Sequence, residues 1–256
     1  MVSDGGDRSG GDIQAVTRTA DVLGLLVQSG GRITLRDAVE RLGIQRTTMH
    51  RYFATMQAVG LLSRVDDGAR AHLYGFGPLV HQMGAAIVNS SRVAMVAGGR
   101  LQRIADRVGV TAVLSLPSRG SAVVTDSAFP LDVPIAVRIT AGWEIPPDGA
   151  QSILMLAHMD DDTVAAARAS LPAGQWAAFT EALTRARTDG YIAKLVGDDL
   201  RVIAAPIFEQ HAVCATIGVI GLAAELSGPS ATAAVALLVA EARDVSAVLG
   251  RRPLAG

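Results

Sequence analysis

The stretch from Thr34 to Leu62 constrains this chain more than any other, because it holds two amphipathic segments joined by a tight glycine turn. In the second segment, Thr47 to Val59, the apolar residues Met49, Tyr52, Phe53 and Met56 recur at three- and four-residue steps and so share one helix face. At about 100° per residue, Thr47 and Arg51 project almost opposite that stripe, flanked by Thr48, His50 and Thr55. The first segment opens with a capping-box pattern, Thr34 with Asp37, spaces Leu35, Ala38, Val39 and Leu42 as one helix face, and ends at Gly43. A helix that packs through one side and offers hydroxyls, an imidazole and a guanidinium on the other suits the major groove of DNA. An ordinary helical hairpin would show the same two segments, so the flanking sequence has to decide.

The flanks favour a winged helix-turn-helix. A helix from about Asp12 to Gln28 is expected upstream, with Val16, Ala20, Leu23 and Val27 on its buried side and Ser29-Gly30-Gly31 closing it. Downstream, Leu61 to Val65 and Ala71 to Gly75 read as two short strands around the turn residues Asp66-Asp67-Gly68. The hairpin is the wing, and Arg64, Arg70 and His72 lie on or near it, where phosphate and minor-groove contacts are expected. Between Ile13 and Pro78 eight arginines stand against five acids, so this segment is +3 within a chain whose formal net charge is -1. That asymmetry fits a local DNA-binding face and argues against indiscriminate polyanion binding by the whole chain. The expected base-edge contacts are Arg46, Thr47, Thr48, His50 and Arg51, with Thr34 and Thr55 beside them and Arg64 and Arg70 on the backbone.

The remaining chain divides into a glycine-rich tail over 1–11 expected to be disordered, a linker or dimerisation helix over 77–91 and a second domain over 92–252, with the winged domain at 12–76. Leu79, Met83 and Ile87 form a helical stripe on the linker, facing either a second subunit or its own domain. In the second domain the patterns predict a helix near Val93 to Arg107 and strands at Thr111–Leu116, Ala122–Thr125 and Val133–Thr140. Helices near Ser152–Met159, from Asp160–Asp162 to about Leu171 and at Gln175–Thr188 follow. Strands at Tyr191–Val196, Arg201–Phe208 and Val213–Leu222 then precede a closing helix Ser230–Leu249. Helices and strands segregate, which indicates an α+β domain with a mostly antiparallel sheet. Pro206 within a strand points to an edge or a bulge.

Catalytic signatures are not found in this domain. It carries no G-x-S-x-G, P-loop or G-x-G-x-x-G pattern, and Gly218-Val-Ile-Gly221 sits inside an apolar strand as a packing feature. Asp160, Asp161 and Asp162 are explained by helix capping, His158 lacks a neighbouring histidine, and the lone Cys214 excludes an internal disulfide and reads as a small buried hydrophobe. No cofactor and no metal are expected. The apolar runs are too short to cross a bilayer and the first residues do not resemble a signal peptide, so a soluble cytoplasmic protein is expected. Arg138, Trp143, Asp148, Gln151 and Arg201 are the candidates for a ligand pocket, in which an arginine would favour a carboxylate.

The chain resembles the IclR family of bacterial transcriptional regulators over nearly its whole length. Arg18 with Ala20 and Leu23, Leu42-Gly43-Ile44, Thr48-Met49-His50-Arg51, Thr55 and Gly60-Leu61 carry the likeness in the first domain. Gly190-Tyr191, Ala204-Ala205-Pro206-Ile207-Phe208 and Leu249-Gly250 carry it in the second. The resemblance implies an N-terminal winged helix, a linker helix that aids dimerisation and a GAF-like effector-binding domain, in a homodimer or tetramer that binds operator DNA and a small molecule. The chain departs from the family pattern at Ser152 to Ala157 and at Leu195, Asp199 and Val202, so the ligand class is not carried over. The reading is a non-enzymatic, sequence-specific regulator modulated by an effector. The alternatives are a winged-helix module for protein interaction and a metabolite-converting enzyme domain fused to a DNA-binding segment.

Overall fold

The structure, a computed structural model, describes residues 13–65, 72–131, 133 and 136–250, and divides into two units between Ser90 and Ser91. The first unit contains α1 (Gln14–Gln28), β1 (Arg32–Thr34), α2 (Leu35–Leu42), α3 (Arg46–Ala58), β2 (Leu62–Val65), β3 (Leu73–Phe76) and α4 (Pro78–Ser90). Its strands form one antiparallel sheet in the order β1-β3-β2. Met49, Phe53 and Met56 of α3 are buried against Ala38 of α2, Leu62 of β2 and Tyr74 of β3, which fixes the apolar side of α3 and turns its other side outward. Gly43 closes α2 in the left-handed region at φ +63°, the conformation that lets the chain turn sharply into α3.

Two expectations for this unit need correction. The buried side of α1 is Val22, Leu25 and Leu26, whereas Val16 is 66% and Val27 47% exposed and Ala20 is exposed as well. Two apolar stripes compete on this helix, and the core takes the one with adjacent leucines, whose burial removes more apolar area from water. The strand β1 was not anticipated. It adds Ile33, opposite Tyr74, to the sheet and the core. The expected wing turn at 66–68, the cap Asp12, the tail over 1–11 and Arg70 lie outside the described residues.

The second unit contains α5 (Arg92–Val108), β4 (Thr111–Ser118), β5 (Ser121–Ala128), β6 (Glu144–Ile145), α6 (Ala150–Leu156), α7 (Asp161–Ala169), a 3-10 turn at Ala173–Gln175, α8 (Trp176–Asp189), β7 (Ile192–Val196), β8 (Leu200–Glu209), β9 (Ala212–Leu222) and α9 (Gly228–Gly250). The strands pair antiparallel in the order β6-β5-β4-β9-β8-β7. Side chains alternate along them. Leu114, Ile203, Ala205, Ile217 and Val219 pack with α5 and α9, while Ala204 packs with α6 and α8.

Among the described residues of the expected strand Val133–Thr140 no strand is found: 133 and 136–140 have no regular structure, and the last described strand before α6 is the two-residue β6, paired with β5 inside a stretch expected to be irregular. The alternation of Val137 and Ile139 is real, but it serves to pack them beside Ala150, Val202 and Ile220, and Thr111 Oγ1 donates to the Val137 carbonyl at 2.7 Å. Proline has no N–H to give to a ladder, and the expected strand contains one at position 134 of the sequence. Pro206 has both of its expected companions: the β8–β9 register shifts between Ile207 and Phe208, and β7 pairs with β8 only as far as Ala204. Gly218 is a packing glycine, since a Cβ there would lie 2.9 Å from the Ile203 carbonyl oxygen and 3.1 Å from Gln151 Nε2. The architecture is α+β, a winged helix-turn-helix and a following helix ahead of a GAF-like unit with an antiparallel sheet. Among the described residues, no helix is long and apolar enough to cross a membrane.

Candidate nucleic-acid interface

The exposed side of α3 carries Arg46, Thr47, Thr48, His50, Arg51 and Thr55, and Arg64 is exposed on β2. The structure thus brings the six α3 candidates together on one helix. No side chain of Arg46, His50, Arg51 or Arg64 makes a hydrogen bond or ion pair with another described residue, a state shared by the side chains of Arg32 and Arg41. Elsewhere in the unit Arg18 pairs with Asp21 at 3.3 Å and Arg36 with Glu40 at 2.7 Å. The arginines on α3 and the wing are therefore among those whose guanidinium forks remain available for phosphate or guanine, and they stand on the exposed side of α3 and beside it. Thr48, Arg51 and Thr55 also line a groove of about 310 Å³ together with Ala15 and Thr19 of α1.

Thr34 occupies a different role. Its N–H and its hydroxyl both donate to Asp37 Oδ2, at 3.0 and 2.7 Å, and Asp37 N–H donates to Thr34 Oγ1 at 3.1 Å. The hydroxyl is fully used in the capping box of α2, and the bond from Thr34 holds the Asp37 carboxyl below the usual carboxylate range. Two residues beyond the sequence-based set belong to the same surface. Gln45 is exposed at the N-cap of α3 and its side chain forms no cap, which leaves first-turn N–H groups without a side-chain acceptor. Its position just ahead of the first helical residue was the available signal. Thr19 had none, because it reaches the groove only through the packing of α1 beside α3.

The pocket candidates in the second unit disperse. Arg138 lies over the Phe129 ring with its guanidinium carbon 5.1 Å from the centroid, Arg201 donates to the Leu226 carbonyl at 2.7 Å, and Trp143 is exposed. Asp148 alone of the five lines the cavity of about 480 Å³ between α8 and β7, with Ile153, Phe179, Ala182, Ile192 and Lys194. The cations of that cavity are engaged, Lys194 Nζ with the Asp148 carbonyl and Arg185 with Glu181. Gln151 is buried at 3% exposure, accepts from Ser115 Oγ at 3.1 Å, and leaves Nε2 without a partner. Thr216, opposite Ser115 on β9, has an equally unpartnered buried hydroxyl. Ser115 and Thr216 were overlooked, although a polar residue within an otherwise apolar strand marks such a cluster.

Cys214 has the character of a structural residue. Burial pushes its thiol up to about 11, with the Glu209 charge adding to the effect, and Sγ donates to the Ile207 carbonyl at 3.5 Å. Asp160 caps α7, accepting from Thr163 N–H at 2.8 Å.

Residues 15–66 match the family profile of the IclR helix-turn-helix domain. The HTH-type transcriptional regulator BhcR of Paracoccus denitrificans is 27% identical over 98% of this chain and 92% of its own length. The IclR transcriptional regulator of Alicyclobacillus acidocaldarius superposes with a TM-score of 0.79 at 26% identity, covering 94% of this chain and all of that one. An IclR homologue of Microbacterium hydrocarbonoxydans, complexed with 4-hydroxybenzoate, shares the fold at a TM-score of 0.75 and 20% identity over 92% of this chain and 98% of the other.

Proposed function

We propose that this chain, which belongs to the IclR family of transcriptional regulators, reads a double-stranded operator through the exposed side of α3 and is controlled by a small molecule held in its second unit. The observation that carries the reading is the set of unengaged polar side chains on α3, Arg46, His50 and Arg51, set opposite a buried Met49, Phe53 and Met56. An anchored helix with free hydrogen-bonding groups on its outer side can enter a major groove without giving up internal contacts. We assign base edges to Arg46, Thr47, Thr48, His50, Arg51 and Thr55, and phosphate contact to Arg64 and, from its place in the sequence alone, to Arg70.

For the effector we favour the cavity between α8 and β7, whose volume of about 480 Å³ falls within the range of metabolite sites. The likeness to a homologue crystallised with 4-hydroxybenzoate supports a small-molecule ligand of some kind. Its class here stays open to measurement. We further place a contact between two copies on α4, where Leu79, Met83 and Ile87 are 36%, 52% and 59% exposed at four-residue steps. The protein then acts by binding, with no substrate turned over.

Fluorescence anisotropy with the purified protein tests the central reading, using duplexes from upstream of its own gene and a random duplex across a salt series. Binding that prefers the upstream DNA and weakens steeply with salt is the expected outcome. Salt-independent or absent binding to every duplex would turn the winged helix toward a protein partner.

A further inference from the structure

A cleft of about 340 Å³ opens in the second unit where β7 stops pairing with β8. The last β7–β8 pair is Ile192 with Ala204, so the following residues of β8 form an edge on that side. Ala205, Pro206 and Phe208 from this edge floor the cleft with Val239 and Ala242 of α9. Pro206 offers no N–H there, and Ser246 Oγ accepts from Phe208 N–H at 2.9 Å while donating to the Ala242 carbonyl at 2.7 Å. The floor is thus apolar, and the Phe208 N–H beside it is already bonded.

The walls are not closed. His158 Nε2 is buried without a hydrogen-bond partner, its ring set edge-on to Phe208 with centroids 5.2 Å apart. Arg187 donates from Nε to the Ala157 carbonyl, which anchors the side chain and leaves both terminal amino groups unused. Arg243 engages no described group, and Asp189, the acid of the lining, forms no ion pair with either arginine. Two arginines and an imidazole therefore line a cleft whose floor is hydrocarbon. A buried donor or acceptor left unpaired costs free energy that a ligand atom would recover.

We propose that this cleft binds a small carboxylate with an apolar body, its carboxylate accepting from Arg187, Arg243 and His158 Nε2 and its body lying on Pro206, Phe208 and Val239. Planar forks match a planar two-oxygen anion, and the apolar floor selects a carbon skeleton over a bare inorganic anion. Burial, and secondarily the Arg187 charge, lowers the pKa of His158 and so favours the neutral ring; a bound anion counteracts the Arg187 effect and favours the protonated ring. The cleft shares only Asp189 with the α8–β7 cavity, and the proposal is independent of DNA binding.

The test is NMR of the full-length protein labelled at its five histidines, with His158 assigned through His158→Gln. Benzoate, its neutral isostere benzamide and inorganic phosphate are the probes. Benzoate should shift the His158 signal saturably and raise its pKa, while benzamide and phosphate leave it in place. Arg243→Gln, at an exposed position on α9, should weaken the benzoate response about tenfold or more, and Lys194→Gln in the other cavity should not change it. An unmoved His158, an equal response to benzamide or phosphate, or full affinity in Arg243→Gln overturns the proposal. Benzoate binding seen by calorimetry with His158 unmoved also overturns it, while leaving the regulator and its α8–β7 cavity untouched.

Discussion

The ring of Phe53, on α3, meets the ring of Tyr74, on β3, edge to face, with centroids 4.7 Å apart and planes at 84°. Both residues are buried, so the pair ties the helix proposed to read DNA to the strand that leads out of the wing. Phe53→Ala removes one ring and leaves a cavity under α3. We expect a loss of about 3–5 kcal/mol in the unfolding of the first unit, read by denaturant titration, with operator binding lost in parallel. Tyr74→Phe keeps the ring contact and should retain binding.

Arg51 and Arg64 should fail in different ways. If Arg51 pairs with a guanine edge, Arg51→Ala costs roughly 1–3 kcal/mol on the operator and relaxes preference at one base pair. If Arg64 pairs with phosphate, Arg64→Ala weakens operator and random duplex alike and lowers the logarithmic salt slope by about 1. Anisotropy on both duplexes separates the two. Equal losses for Arg51→Ala on operator and random DNA would demote it to a backbone contact.

The first unit was legible because its apolar period and its turn residues agree: Met49, Phe53 and Met56 mark the buried side of α3, and Gly43 marks the turn before it. Legibility failed where two patterns were locally equivalent. Val16 to Val27 and Val22 to Leu26 are both acceptable helix stripes, and only the position of the neighbouring elements selects the second. The three residues of β1 carry too little pattern to be read as a strand, and their pairing with β3 is a long-range fact. The same holds for Val133 to Thr140, whose alternation describes packing on the sheet without describing a ladder. Pocket residues were hardest. Arg138 and Arg201 have the right chemistry but spend it on Phe129 and on the Leu226 carbonyl, whereas Lys194 and Arg185 reach the cavity through the placing of β7 against α8.

Thr34 should behave as a cap and not as a DNA contact. Thr34→Ala removes the acceptor for Asp37 N–H and should destabilise the first unit by about 1 kcal/mol, while Thr34→Ser restores it. The Asp37 carboxyl is held below its ordinary range in the folded chain, so its contribution is complete above the unfolded pKa and is lost as pH falls through the lower folded value. Thermal unfolding followed from neutral pH into the acid range below the ordinary carboxylate pKa should show this erosion in the wild type and a flatter limb in Thr34→Ala. A specific loss of operator affinity at full stability would instead return Thr34 to the interface.

If the stripe Leu79, Met83 and Ile87 on α4 joins two copies as proposed, it decides whether the protein binds DNA as one head or two. Residues 81–87 of this helix are all exposed, so its apolar side chains contribute little to the fold of a single chain. Placed between two copies, the same side chains would be desolvated, and a carboxylate introduced among them would be costly to bury. Met83→Glu should therefore leave the unfolding of the isolated chain nearly unchanged while shifting sedimentation toward the monomer. It should also weaken operator binding far more than random binding, since a symmetric operator with two half-sites rewards only linked heads. Arg51→Ala provides the contrast, because it damages reading without touching assembly. If Met83→Glu sediments as the wild type does, α4 does not join two copies, and its exposed apolar positions need another explanation than the pairing of two DNA-binding units.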